Sequence, residues 1–330
     1  MIDAIKKYWY IFFRHTRKNF KLPYYVDCLA ALWCPKWIST IQYRYYNSKY
    51  DKLTPEKKAY IDDRVGYYCK LSTPDKLNED ALTIGSFRYD DRKTSLDVHV
   101  KTVYFFDVYK FLRFFPKHYK WNYHPGDIAY ICPTPAIAKS RKIAPNGEDR
   151  NNTLLNINSI RHFMWVTDPY EWEEKEGMVL FRGDAREKPR RQQFIDMWKD
   201  NPHCDLMNTS KMSIYDHLRY RYIMALEGND VASNLKWVMS SGSIAVMPKP
   251  TCETWFMEGR LKPDYHYILI KDDYSDLMEK IEYYEQHPEE AKEIVRHANE
   301  YTKQFKDKIT ENIISIKVME KYFRMTKQTD

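Results

Sequence analysis

RYIMALEGNDVASNLKWVMSSGSIAVMPKP, residues Arg221 to Pro250, carries the pattern that decides the fold. Tyr222 to Leu226 reads as a buried strand, Glu227-Gly228-Asn229-Asp230 as a polar turn, Val231 to Ser240 as a helix, and Ile244 to Met247 as a second apolar strand after a Ser-Gly stop. Strand, helix and strand in so short a span form a βαβ unit. Open α/β sheets bind ligands beyond the carboxyl ends of their strands, so the turn after Leu226 is the first place to look for a site.

The same alternation continues outward. Upstream, Met178 to Phe181 reads as a strand running into Arg182-Gly183-Asp184-Ala185-Arg186, followed by a helix over Pro189 to Lys199 and a loop over Asn201 to Ser213. Downstream, Thr251 to Pro263 reads as a loop with a short helix, YHYILIK (265–271) as a strand, and Tyr274–Tyr284, Pro288–Lys303 and Ile309–Tyr322 as helices. Strands alternating with helices predict a parallel, doubly wound α/β sheet in the second half. The first half is less regular: short helices between Asp51 and Asp97, a helix over Val103 to Phe115 stopped by Pro116, and a short strand IAYIC (128–132) before a Pro-Thr-Pro turn.

At 330 residues the chain has room for two domains, and 43% hydrophobic content excludes a disordered protein. Aromatic residues reach 16%, with 28 tyrosines and 9 tryptophans, which suits a partner such as a sugar, a base or a lipid interface. The formal charge of +7 favours anionic partners without singling out nucleic acid, and no nucleic-acid reader motif occurs. Six scattered cysteines with no CxxC pair predict thiols in a reducing compartment and no structural zinc. No apolar run is long enough to span a bilayer, and no signal peptide is read at the amino terminus. Residues 1–50 combine Lys6, Lys7, Arg14, Arg17, Lys18 and Lys21 with many aromatic side chains. Two readings stand for this segment: a basic helix lying on an anionic membrane, or a helix docking its aromatic stripe on the protein's own core.

Candidate chemistry gathers at two strand ends. Arg182-Gly183 offers a guanidinium fork and an open backbone, with Asp184 and Arg186 beside it. In the turn of the βαβ unit, Glu227 leads into Gly228, which allows the turn, and Asn229, Asp230 or Ser233 can cap the helix. The exposed amides of a helix start attract an anion, and Lys236 adds charge one turn in. Lys139, Ser140 and Arg141, with Asn156, Asn158 and Arg161, supply cations and amides from the first half. A Walker lysine motif, GxGxxG, GxSxG and HExxH are all missing, and Asp272-Asp273 reads as an exposed loop pair, so metal-free transfer without a cofactor is expected. Asp107 interrupts an apolar helix pattern, where a charge needs a partner.

Taken in order, KSR (139–141), LLNINSIRHF (154–163), MVLFRGDAR (178–186) and RYRYIMALEGNDVASNLKWVMSSGSIAVMPKPTCETWFMEG (219–259) resemble the family 90 glycosyltransferases. The likeness is to the bacterial lipopolysaccharide-modifying, LpsA-like branch, and more distantly to eukaryotic protein O-glucosyltransferases and fungal capsule-associated proteins. It covers roughly residues 64 to 285.

The resemblance implies a GT-B architecture, two Rossmann-like domains facing a central cleft, with no essential metal. It divides the chain into a basic segment (1–50), an acceptor-side domain (51–166), a nucleotide-sugar-binding domain (167–310) and a last helix (311–330) returning to the first domain. In the relatives the segment matching Asn229 to Asn234 holds the diphosphate beside the FRG turn and ends in arginine. Here the last position is Asn234, leaving Lys236 or Arg186 to replace that cation. The relatives' catalytic aspartate falls in a turn matching Cys132-Pro133-Thr134-Pro135, which has no carboxylate. Asp127, Glu148, Asp149 and Asp107 are therefore the base candidates. The expected function is inverting transfer of a hexose from a nucleotide diphosphate sugar, a UDP-hexose, to a lipopolysaccharide or related glycan, in the cytoplasm or peripheral on the inner face of the cell membrane. The missing carboxylate keeps an alternative open, a non-catalytic glycan- or lipid-binding relative.

Overall fold

Two separate cores divide the chain. In a computed structural model residues 22–87, 102–127, 130–144, 146–209 and 212–329 are described. The basic stretch 1–21 and the first two residues of the expected strand 128–132 lie outside them, and Tyr130–Cys132 is not a strand. One unit takes residues 22–159, 252–257 and 305–330; the other takes 160–251 and 258–304.

The first unit is rich in helices. It opens with α1 (Leu22–Leu32), α2 (Lys36–Asp51) and α3 (Pro55–Tyr68), and α4 (Thr102–Leu112) follows where the apolar spacing predicts it. Its strands are short: β1 (Leu82–Thr83), β2 (Lys120–Trp121), β3 (Tyr123–His124), β4 (Ala136–Ala138), β5 (Ser140–Lys142) and β6 (Asn152–Leu154). β3, β4 and β6 form a three-stranded parallel sheet in that order. The chain returns twice, with the strand Cys252–Thr254 antiparallel to β5 and with the last helix, Lys308–Met325, against α3.

Buried ion pairs join these pieces. Arg64 of α3 is fully buried and forks onto Glu311 of the last helix at 2.5 and 3.1 Å, while the indole nitrogen of Trp255 donates to the same carboxylate. Tyr68 stacks on Trp255 with ring centroids 3.8 Å apart. Arg141 of β5, also fully buried, reaches Glu253 at 2.7 Å and Asp149 at 3.1 Å, and donates to the carbonyls of Tyr67, Tyr68 and Asn152. Lys70 completes the cluster on Asp149 at 2.7 Å.

The second unit holds the sheet read from the sequence. Its strands are β7 (Glu176–Arg182), β8 (Cys204–Met207), β9 (Tyr220–Met224), β10 (Ile244–Met247) and, after the returning strand β11 (Cys252–Thr254), β12 (Ile268–Leu269). They lie in the order β12-β10-β9-β7-β8, every neighbouring pair parallel. Val179, Phe181, Tyr222, Met224, Ile244 and Val246 share one core with Phe194, Ile281 and Ile294 from covering helices, and Leu180, Ile223 and Ala245 between them are buried too. Burial on both faces is why these strands read as unbroken apolar runs.

Three expectations shift here. β8 falls inside the segment read as loop, because CDLM is short and forms the sheet edge. β9 starts two residues earlier than Tyr222, leaving Ala225 and Leu226 buried beyond the strand. The helix expected from Val231 begins only at Leu235 and ends at Val238. No disulfide joins any of the six cysteines.

Arg141→Ala would leave Glu253 and Asp149 buried without their main cation. The expected loss is about 3–5 kcal/mol in urea denaturation. A loss under about 1 kcal/mol, the value of an exposed pair, would show the cluster to be dispensable.

Candidate functional site

Numbered by first appearance within the second unit, the strand order is 2-1-3-4-5, the flavodoxin-like order of doubly wound sheets. Crossovers leave in opposite directions from β7 and β9, so a crevice opens beyond their carboxyl ends. The two segments there are 183–188 and 225–234, the same two turns singled out in the sequence.

One side chain that the sequence reading missed ties them together. Arg191 lies in the helix Pro189–Trp198, and its guanidinium donates to the carbonyls of Asp184 (3.0 Å), Leu226 (2.7 Å) and Glu227 (3.1 Å). The approach needs bare backbone. A Cβ on Gly228 would meet Nη2 of Arg191 at 3.0 Å, and one on Gly183 would meet the Phe181 ring at 2.8 Å. Burial, with help from the nearby charge of Arg161, pulls the Arg191 pKa below its usual value. The signal was present as Arg190-Arg191 behind Pro189, since a helix following the first strand of such a sheet starts at the switch point.

The predicted phosphate ligands are differently engaged. Arg182 is almost fully buried and turned onto Asp205, at 2.7 Å from its carboxylate and 2.8 Å from its carbonyl. Burial would raise the Asp205 pKa, but the donors Arg182 and Tyr220 outweigh it and hold the carboxyl below its usual range. Asp184 and Arg186 pair with each other at 2.8 Å on the surface, where the Arg186 donors bring the Asp184 pKa down to about 2. Lys236, expected as a spare cation, is fully buried and bound to Glu258 at 2.5 Å. Asn234 precedes the short helix without capping it, its amide donating to the Met224 carbonyl at 2.9 Å. Asp230 is buried, Ser233 half-buried and Asn229 exposed, all ahead of that helix. A helix-start anion site is thus corrected to a compact turn, because Asn234 uses its side chain to hold the chain on β9.

The first-half candidates belong mostly to the other unit. Lys139 binds Asp127 at 2.5 Å, and Ser140 and Arg141 are buried in the ion-pair core, so KSR is structural and not an open phosphate reader. Asn158 adopts a positive φ of 60°, and the side-chain oxygen of Asn156 is buried without a hydrogen-bond partner. Arg161 is exposed and belongs to the second unit. Of the four base candidates, Asp149 is sealed between Arg141 and Lys70, and Asp107 is buried under donors from Tyr24 (2.9 Å) and Ser159 (2.8 and 3.1 Å). Both are structural carboxylates, closed to an acceptor. Asp127 and Glu148 remain open to solvent.

Beside the switch point, a shallow pocket opens along the carboxyl ends of β9, β10 and β12. Leu226, Val231, Met247 and Pro248 give it apolar walls, and Tyr274 an aromatic one. Arg190, Lys249 and Glu227 bring charge to it. The Glu227 carboxylate is oriented by Thr251, whose amide (3.0 Å) and hydroxyl (2.5 Å) both donate to it. Arg190 and Lys249 are exposed, and among the described residues neither has an ion-pair partner. Two unpaired cations, an oriented carboxylate and an aromatic ring suit an anionic ligand that carries hydroxyls and a flat ring. Among the described residues no three His, Cys, Asp or Glu side chains gather as a metal site would require. Asp273 instead accepts the Ser275 amide and hydroxyl within its own turn.

A family model described as Glycosyl transferase family 90 matches residues 159–328. O-glucosyltransferase LpsA of Dichelobacter nodosus is 35% identical over 288 residues, 84% of this chain and 87% of that protein. Protein O-glucosyltransferase 3 of Rattus norvegicus is 27% identical over 202 residues, 54% of this chain and 39% of that one. Protein O-glucosyltransferase 2 of Danio rerio is 32% identical over 83 residues, 25% of this chain and 16% of that one.

Arg191→Lys keeps the charge and loses the fork. It is expected to cost about 2 kcal/mol and to speed amide exchange in 183–188 and 225–230 while leaving β4 and β6 unchanged. Uniform exchange across both units would count against the local role. Burial raises the Asp107 pKa to about 6, against 3.8 ordinarily. The folded state therefore holds its proton more tightly than the unfolded chain, and stability falls as pH rises through that interval. The unfolding free energy of the wild type, taken relative to that of Asp107→Asn, is expected to fall by about 2 kcal/mol from pH 4 to pH 6. A flat difference would mean that Asp107 is ionised throughout.

Proposed function

The chain belongs to glycosyl transferase family 90, and from that premise we propose that it moves a glucosyl group from a UDP-sugar to a hydroxyl of lipopolysaccharide or a related surface glycan. The chain is a glycosyltransferase; donor, acceptor, stereochemistry and metal independence are part of this proposal. The name of the Dichelobacter nodosus relative supports glucose and an oxygen linkage. The observation that carries the donor assignment is the pocket at the carboxyl ends of β9, β10 and β12, with Arg190 and Lys249 unpaired beside it.

In this reading Tyr274 and the apolar walls receive the base, Glu227 accepts hydrogen bonds from donor hydroxyls, and Arg190 and Lys249 face the diphosphate. The acceptor oxygen attacks the anomeric carbon as its bond to the β-phosphate oxygen breaks, inverting that centre. The acceptor proton passes to a carboxylate, and UDP leaves with the negative charge that the two cations offset. Cationic side chains perform the charge stabilisation that a divalent ion performs elsewhere, which is the ground for metal independence. Asp127 and Glu148 are the base candidates carried forward, since Asp107 and Asp149 are enclosed. A GT-B arrangement, with the donor on the second unit and the acceptor on the first, is supported by the 2-1-3-4-5 sheet and by the last helix belonging to the first unit.

The test is UDP release from UDP-hexoses with a truncated lipopolysaccharide acceptor. Turnover is expected with UDP-glucose, and no UDP release with any donor would sink the reading. Arg190→Ala and Lys249→Ala are each expected to lower kcat/KM about 10²-fold, because each removes a preorganised partner of the departing diphosphate. Unchanged kinetics in both variants would move the donor away from this pocket.

A further inference from the structure

The outer surface of α1 and α2 is apolar where a surface helix is ordinarily polar. Leu22, Val26, Leu29 and Trp33 follow one another at helical spacing, and Trp37, Ile41 and Tyr45 continue the pattern on α2. Trp33 is 74% exposed, Trp37 65%, Leu22 61% and Ile41 57%. The faces turned inward carry the polar contacts: Tyr24 donates to Asp107, Tyr43 to Glu320 at 2.6 Å, and Tyr46 accepts from Asn312 at 3.0 Å. The same inward faces also pack the rings of Tyr25, Tyr43 and Tyr46 against Phe106 and Phe114, so the helices are apolar on both sides, and seven large apolar side chains in line on the outside exceed the scattered exposure of an ordinary surface.

Charge identifies what covers the stripe. The first fifty residues hold nine Lys and Arg against two Asp, an excess equal to the +7 of the whole chain, so the remaining 280 residues are neutral on balance. Arg44 and Lys49 of that set lie exposed on α2. Two copies of the chain meeting stripe to stripe would bring like charges together, whereas an anionic surface would attract them. Tryptophans in an apolar band beside cations fit the headgroup level of a bilayer. Among the described residues no helix is long and apolar enough to cross a membrane. We propose that α1 and α2 form a docking face that lies in the headgroup region of an anionic lipid surface, inserting Trp33, Trp37 and Ile41.

Vesicle partition uses neither donor nor acceptor, so this proposal and the transferase reading fail independently. The full chain is expected to co-sediment with vesicles of phosphatidylcholine and phosphatidylglycerol, less so with phosphatidylcholine alone, and less as salt is raised. Trp33→Ser with Trp37→Ser is expected to lower the partition coefficient about tenfold or more. Both side chains are exposed, and an unchanged circular dichroism spectrum and Tm would show the fold intact; Ile41→Asn alone provides a milder second variant with the same direction of effect. Absence of co-sedimentation, or equal co-sedimentation of all variants, overturns the proposal. So does a wild-type dimer that becomes a monomer in the double variant without any vesicle binding.

Discussion

A guanidinium taken out of water must have its N–H donors matched one by one, because each unmatched donor forfeits its hydration. Arg64, Arg141 and Arg191 meet this demand in ways that set the architecture. Arg64 draws the last helix onto α3 through Glu311, and Arg141 draws the returning strand onto β5 through Glu253. Arg191 satisfies itself on three main-chain carbonyls and so fixes the two turns at the switch point of the sheet. Buried charge of this kind adds little net stability over an apolar core, yet breaking it is costly, so it specifies which segments pair.

The sheet of the second unit was legible because strands buried on both faces must be apolar throughout, and helices between them show their own period. β10 matched residue for residue. β8 was not legible, since a four-residue edge strand with a polar member has no periodicity to detect. The late start of the helix at Leu235 was hidden for another reason: Asn229, Asp230 and Ser233 look like caps in sequence, while the helix waits for Asn234, whose amide is spent on the Met224 carbonyl.

Side-chain engagement was less legible for a related cause. Strand ends and glycines mark the switch point whatever the side chains do. Whether a cation there is free is not marked, because a lysine bound to a buried glutamate and a lysine facing solvent are identical letters. Lys236 is bound to Glu258 and Arg182 to Asp205, while Lys249 and Arg190 are exposed. Partners distant in sequence, such as Glu258 for Lys236 and Glu253 for Arg141, decide the outcome, and no local pattern contains them.

The division of the chain also bears on the order in which the two cores can be completed during synthesis. Among the described residues, and apart from the excursion 252–257, the second unit is a single stretch that is finished once residue 304 has emerged. The first unit begins earlier but draws on Glu253, Trp255 and Glu311, so Arg141 lacks one of its two carboxylates until residue 253 is made and Arg64 lacks its Glu311 partner until residue 311. The amino-terminal core is therefore the last to close, an inversion of the usual vectorial order that leaves its cationic interior open to water for most of translation.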